Sequence, residues 1–155
     1  MVVDYYLRID GVQGGSTEKD HAGWIELYSY AWGAQVTTNA GAGGAATGRA
    51  TVDAVVVTFR LGRMSPQLFN LVVNGRRAQS ATLHGVRTRD RPQKVVELEM
   101  ANVTVTSYDS SAAAGDGATD SIALRFGSVT YSFWPQNEDG TVGAAVVAAW
   151  DARAR

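Results

Sequence analysis

No cysteine occurs in the 155 residues. That excludes disulfides, thiolate metal sites and cysteine nucleophiles. No run of about 18 apolar residues occurs, so no segment reads as a membrane-spanning helix. Charge of either sign is not in excess: 14 Lys and Arg stand against 15 Asp and Glu, for a formal net charge of -1. No basic face announces nucleic acid, and Arg153 and Arg155 make only a small basic end. The first residues, Met1-Val2-Val3-Asp4-Tyr5-Tyr6-Leu7-Arg8, lack the basic region and apolar core of a secretory signal peptide. Only two histidines are present, His21 and His84, and neither has a second His or Cys at metal-ligand spacing. A solvated or hydrogen-bonded structural role fits each of them best. There is no Gly-x-Ser-x-Gly nucleophile elbow. Glu97 and Glu99 share one strand face and read as an exposed alternating face, and Glu138-Asp139-Gly140 reads as a turn. The expectation is a chain that is not an enzyme, with no catalytic residues, no metal and no cofactor.

Period-2 alternation, the mark of half-buried strands, dominates what is present. Val3, Tyr5, Leu7 and Ile9 fall on one face, and Asp4, Tyr6, Arg8 and Asp10 on the other. A polar turn follows from Gly11 to Ala22. The next strand, Trp24–Val36, places Trp24, Tyr28, Tyr30 and Trp32 on one face and Ile25 and Leu27 on the other. Large residues on both faces imply that a second sheet or a partner chain covers the far side. Further strands are expected at about Thr51–Arg60, Arg77–Arg87, Lys94–Tyr108 and Ser121–Trp134. The alanine-rich end, Gly143–Arg155, combines helix-favouring alanine with Val146, Val147 and Trp150, and is read as strand. One helix is signalled: Ser65 as N-cap, Pro66 at the first helical position, a Leu68, Leu71, Val72 stripe widened by Phe69, and Asn74-Gly75 as the stop. The whole predicts a single domain, 1–155, mainly β: an antiparallel barrel or two-sheet sandwich with one short flanking helix.

Two strands change their apolar face midway. Val96, Leu98 and Met100 are even-numbered, Val103 and Val105 odd; Ile122, Leu124 and Phe126 are even, Val129, Tyr131 and Phe133 odd. A one-residue shift flips every side chain to the other face, so a bulge or bend is expected at Ala101-Asn102 and at Gly127-Ser128. If the strands pair antiparallel, the two bends fall opposite each other, as at a barrel corner. Gly127 is expected to hold a backbone conformation that a β-carbon penalises.

The connection from Thr37 to Ala50 is built almost entirely of Gly, Ala, Thr and Asn. Compact domains usually join strands with roughly 2–6 residues, and a longer connection without core side chains is more often functional than accidental. A phosphate-binding reading fails. Gly43 and Gly48 have the spacing of a P-loop, but Arg49 and Ala50 stand where Lys and Ser or Thr are needed, and a strand follows instead of a helix. A segment that orders against a partner fits better.

In order and spacing, several stretches resemble one family over nearly the whole chain. They are Val3-Asp4-Tyr5-Tyr6-Leu7-Arg8-Ile9, Tyr30-Ala31-Trp32-Gly33 before the glycine-rich loop, and Ser65-Pro66-Gln67-Leu68 at the helix. Asn102-Val103-Thr104-Val105-Thr106-Ser107-Tyr108, Phe126-Gly127-Ser128-Val129-Thr130-Tyr131-Ser132-Phe133, Pro135-Gln136 and Asp139-Gly140 complete the set. The family is Hcp, the haemolysin-coregulated protein that forms the inner tube of the type VI secretion system. The alanine-rich end departs from it, as do Thr58 and Arg60 where a lysine is often found.

The resemblance implies a compact β-barrel with a flanking helix. It also implies homohexameric rings stacked into a hollow tube, which a contractile sheath drives out with a spike protein and small effectors. It implies synthesis in the bacterial cytoplasm and secretion through that machine, with no nucleic acid and no membrane insertion. The segment Asn39–Arg49 would reach a neighbouring subunit or ring, with Asn39, Gly41, Gly43, Gly44, Gly48 and Arg49 as interface residues. Two alternatives remain at this point: the tube protein of a phage-tail-like contractile injection particle, and a carbohydrate-binding β-sandwich using the four Trp, six Tyr and four Phe.

Overall fold

The computed structural model describes residues 2–38, 47–88 and 91–153. Ten strands and one helix follow in the order β1 (Val3–Ile9), β2 (Ile25–Ala31), β3 (Ala34–Thr38), β4 (Thr47–Val52), β5 (Val55–Arg60), α1 (Met64–Val73), β6 (Arg77–Arg87), β7 (Gln93–Ser111), β8 (Thr119–Arg125), β9 (Ser128–Phe133) and β10 (Val146–Asp151). All pairings are antiparallel. The order β7-β6-β1-β2-β5-β8 closes on itself because β8 also pairs with β7. This six-stranded ring is the barrel, and β9 and β10 extend from it along the first half of β7. The inward faces supply one core, with Leu7, Phe59, Leu83, Leu98, Ile122 and Leu124 fully buried.

The long strand β7 carries the expected change of face. Val96, Leu98 and Met100 are buried before it, Val103 and Val105 after it. Asn102 takes φ 55, the one positive value among the described non-glycine residues. Asparagine tolerates this left-handed conformation better than most residues. The second break lies opposite: the Gly127 N–H points at the Ala101 carbonyl (2.9 Å) and the Asn102 carbonyl (3.2 Å). The expected long strand at 121–134 is therefore two, β8 and β9, divided there. Gly127 itself does not hold a positive φ, which corrects the expectation for its backbone. Its constraint is space, since an added Cβ would lie 3.3 Å from the Asn102 Cβ.

Three other expectations are revised. The Trp24–Val36 strand is two strands, separated at Trp32-Gly33, and β2 bulges between Leu27 and Ser29. The bulge brings Tyr30 round to the core beside Leu27 and leaves Tyr28 exposed, so the aromatic residues do not share one face. The strand expected at 51–60 is likewise divided, between β4 and β5. At the helix, Ser65 is not the N-cap; that position is Arg63, and no side chain caps it. The Ser65 hydroxyl instead accepts from the Gly62 N–H (3.1 Å), tightening the preceding turn. Pro66 remains in the first turn, where its missing N–H removes no intrahelical bond.

Other features of the helix and tail stand. Leu68, Leu71 and Val72 pack inward, though Phe69 is exposed. Gly75 (φ 62) ends the helix, with its N–H on the Val72 carbonyl and that of Arg76 on the Leu71 carbonyl, a Schellman arrangement. The alanine-rich tail is strand β10, paired along β9.

Asn102→Val should lower stability by about 1–3 kcal/mol, because a β-branched residue is strained at positive φ. Asn102→Gly should stay within about 1 kcal/mol of the parent, since glycine is free there. Thermal unfolding of the two variants measures the difference. Equal melting temperatures would mean that the left-handed residue does not govern the bend.

Candidate assembly surface

The connection read as featureless from Thr37 to Ala50 is in part a β-hairpin. β3 and β4 pair with each other, Val36 opposite Ala50 and Gln35 opposite Thr51, and make a separate two-stranded sheet. Gly48 and Arg49 lie in β4, so they are strand residues, which corrects the reading of a loop through Arg49. Asn39, Gly41, Gly43 and Gly44 lie outside the described residues. Among the described hairpin residues almost every side chain is exposed, with Val36 at 53%. A two-stranded hairpin has too little buried surface to be stable in water by itself. Its strands also present unpaired edges.

The root of the hairpin is held firmly. The Asp53 N–H donates to the Gly33 carbonyl (2.8 Å), joining its two ends. Trp32, just before β3, packs edge-on against Tyr131 of β9 with ring centroids 5.1 Å apart, and near Phe126 at 6.5 Å. Phe126 in turn meets Trp150 of β10 at 6.1 Å. This aromatic chain couples the hairpin root to β9 and β10. The exposed Arg49 side chain lines a shallow hollow with Arg125 and Trp150, and makes no ion pair among the described residues.

Two further apolar surfaces were not foreseen. β10 pairs only with β9 among the described residues, and Val146 and Val147 are exposed beside Phe133. On α1, Phe69 and Val73 face outward. Period counting assigns residues to faces, but it does not say which faces the rest of the chain leaves uncovered. Tyr28, Phe69 and Phe133, the most exposed aromatics, stand on three different elements.

The two histidines meet. His21 Nε2 lies 2.9 Å from His84 Nδ1; His21 Nδ1 lies 3.1 Å from Glu18 Oε2, and His84 Nε2 lies 2.6 Å from Glu97 Oε2. Tyr6 stacks on His21, and Trp24 touches both rings. The hydrogen-bonded reading of the histidines holds. The exposed reading of Glu97 does not, since its side chain is 13% accessible. Burial pushes the His84 pKa down, outweighing the Glu97 hydrogen bond that raises it. Burial pushes Glu97 up, but the bonds from His84 and Lys94 bring it below the usual carboxylate value. Glu99 is raised by the charge of Glu97 beside it. Among the described residues no group of His, Asp and Glu is arranged to hold a metal, and no helix is long and apolar enough to cross a membrane.

Comparison with known proteins agrees with the fold. Residues 6–133 match the family described as "Type VI secretion system effector, Hcp". A solved structure described as a type six secretion system protein shares 27% identity at a TM-score of 0.91, covering 97% of this chain and 96% of that one. Hcp1 from Salmonella typhimurium shares 21% identity at 0.80, covering 99% and 96%. A type VI secretion system effector from Yersinia pestis shares 19% at 0.76, covering 96% and 99%. No curated protein sequence matches. With the family match spanning most of its length and the barrel shared throughout, the chain belongs to the Hcp family of type VI secretion system proteins.

Proposed function

We propose that this chain is a structural subunit of a type VI secretion inner tube. In this reading six copies close into a ring and rings stack into a hollow tube. A contractile sheath expels the tube with its spike protein and small effectors. The observation that carries the proposal is the exposed β3–β4 hairpin. It stands off a barrel that is complete without it, and it leads directly into the glycine-rich segment. Burial against a second copy supplies the apolar and edge contacts that the hairpin lacks in its own chain.

Within that assembly, Asn39–Arg49 contacts the neighbouring subunit, chiefly between stacked rings. Gly41, Gly43, Gly44 and Gly48 allow close backbone approach. Arg49 offers a guanidinium to a carboxylate or carbonyl on the neighbour. The near-zero net charge keeps repulsion low among many identical copies. The role is structural and not enzymatic. Synthesis is cytoplasmic, and release runs through the contractile machine.

Light scattering and negative-stain microscopy of the purified chain should give a hexamer-sized particle with a central hole. A monomer at every concentration that binds a glycan would favour a carbohydrate-binding module and overturn the proposal.

Replacing Gly41–Gly48 with a two-residue turn should leave a folded barrel, because the segment carries no core-forming side chain and a shorter loop is easier to close. Rings should still form, but stacking and secretion should fail. Long tubes and normal secretion from the shortened protein would remove the loop from the interface.

Deleting sheath or baseplate components should abolish appearance of the protein outside the cell. Undiminished release without lysis would defeat the export assignment.

A further inference from the structure

The Gly11–Ala22 connection is a large excursion between adjacent strands, and it is docked on the outside of the barrel. Gly14 sits so close to β2 that an added Cβ would lie 2.4 Å from the Trp24 carbonyl oxygen. Backbone bonds fold the connection on itself: Gly14 N–H to Gly23 carbonyl (2.7 Å), Ser16 N–H to Trp24 carbonyl (2.9 Å) and Gly23 N–H to Ser16 carbonyl (2.8 Å). Its side-chain tie to β6 and β7 is the line Glu18–His21–His84–Glu97. His21 is buried at 5% exposure, and the rings of His21 and His84 meet at right angles, 5.1 Å between centroids.

Counting hydrogens along this line gives a definite result. Three contacts must each hold one hydrogen. Carboxylates only accept, and two neutral imidazoles have one N–H each. Two hydrogens cannot serve three contacts, so with both histidines neutral one contact sets lone pair against lone pair. One additional proton completes the line. One ring then donates from both nitrogens, while the other accepts from it and donates to its own carboxylate. A second additional proton breaks the line again, because His21 Nε2 and His84 Nδ1 would both carry hydrogen at 2.9 Å. The arrangement is therefore satisfied in one protonation state and frustrated on either side of it.

We propose that Glu18, His21, His84 and Glu97 form a proton-operated latch that ties the 11–24 connection to β6 and β7 only while the imidazole pair carries one added proton; the separate Gln13–Gln67 bonds hold its start to α1 regardless. The charged surroundings favour that state. Glu18 closes one end; burial raises it, but the His21 ring and the Asp20 and His21 N–H groups hold it below its usual value. At the other end Lys94 Nζ lies 3.3 Å from Glu97 Oε2 and opposes a second positive charge on the pair. Glu99 on β7 is the next acid beyond Glu97. Tyr6 on β1 stays neutral, its pKa raised by burial and by Asp4, Glu18 and Glu26. Arg8 lies over the Trp24 ring at 5.9 Å. Lys19 and Asp20 in the connection are exposed.

The sign of the pH dependence follows. The hydrogen count gives the alkaline side: the line needs its added proton, so the latch is lost when that proton leaves as pH rises. It resists the second proton, in keeping with the lowered pKa of His84 that burial causes. The latch is therefore also lost as pH falls below the ordinary imidazole range through that step. Loosening of the connection would expose Tyr6 and Trp24 on both sides of the window.

Imidazole nitrogen NMR from about pH 4 to pH 10 should find both histidines changing together in two shared steps. Independent titration of the two rings would overturn the latch. Hydrogen exchange over the same range supplies a second reading. Protection of the Gly14, Ser16 and Gly23 amides, corrected for intrinsic rate, should peak in the window. It should fall roughly tenfold or more on each side, the loss expected when one charge-assisted hydrogen bond breaks. Protection that does not vary with pH refutes the proposal.

Glu97→Gln replaces an acceptor by an amide that can donate to His84, so two neutral imidazoles then suffice. The alkaline fall should disappear and the acid fall should remain. Glu18→Gln is not its equivalent, because the Glu18 Oε2 that faces His21 Nδ1 also accepts from the Asp20 and His21 N–H groups. Retention of the alkaline fall in Glu97→Gln, with β6 amides protected as in the parent, would show that the proton count does not control the connection.

Discussion

One strand must serve two neighbours along a single edge. β7 pairs with β9 through Val96–Ala101 and with β8 through Thr104–Ser111, while β6 lines its other side. A regular strand of that length would carry its inward face straight past the barrel. Val103 and Val105 would then point outward, and the core would lose two of its fully or nearly fully buried side chains. Burying a valine is worth about 1.5–3 kcal/mol, a sizeable share of the net stability of a domain. The left-handed Asn102 resolves the conflict by turning the strand over at that residue, while the register with β6 runs on unbroken from Ala101 opposite Ser80 to Val103 opposite Ala78. The forked Gly127 N–H across from it fixes where β8 ends and β9 begins. Barrel closure through β8 and outward extension through β9 and β10 both depend on this one bend.

The closed core and the exposed hairpin then stand in clear contrast. Among the described residues the core cluster draws on β1, β2, β5, β6, β7, β8, β9 and α1, with no contribution from β3 or β4. The subunit therefore has the means to fold before it meets a partner. Asp120, fully buried at the base of the β7–β8 turn, accepts from the Tyr108 hydroxyl (2.7 Å) and the Ser110 hydroxyl (2.6 Å), so even this buried carboxyl is served within the chain. What the chain does not supply is cover for Val36, Val146, Val147, Phe133 and Phe69.

The parts legible from sequence are those where local pattern and burial coincide. Alternation or helical spacing located β1, β6 and the stripe of α1 closely, although Tyr6 on β1 and Ala78 and Val86 on β6 are buried off the main alternation. The face change on β7 was legible because period 2 admits no other way to move apolar residues from even to odd positions. Three features were not. The β2 bulge leaves no mark beyond Tyr28-Ser29, since any residue can occupy it. Ser65 has the chemistry of an N-cap and spends it on Gly62, a choice set by the turn before the helix. The β3–β4 hairpin carries small, weakly patterned residues, so its pairing depends on backbone bonds that composition does not encode. The meeting of His21 and His84 was hidden for another reason: it joins a turn to a strand far away in sequence, and alternation within either segment does not show that they touch.

In the proposed tube, a subunit that exists both free and assembled must limit adhesion in the free state without losing it in the assembled one. Polar residues can do this only where they leave the mating surfaces intact. In this chain the acids and bases of the histidine line sit on the outer layer formed by the 11–24 connection, β6 and β7. The exposed apolar side chains lie elsewhere, mostly on β3, α1, β9 and β10, with Tyr28 on β2 and Val56 on β5. Satisfying the polar groups within the chain removes their cost from association. What remains for a partner is shape, edge pairing and apolar area, with almost no net charge to oppose them. Association on those terms is indifferent to the identity of the neighbour beyond its being the same surface repeated, which is the condition a ring of identical copies must meet.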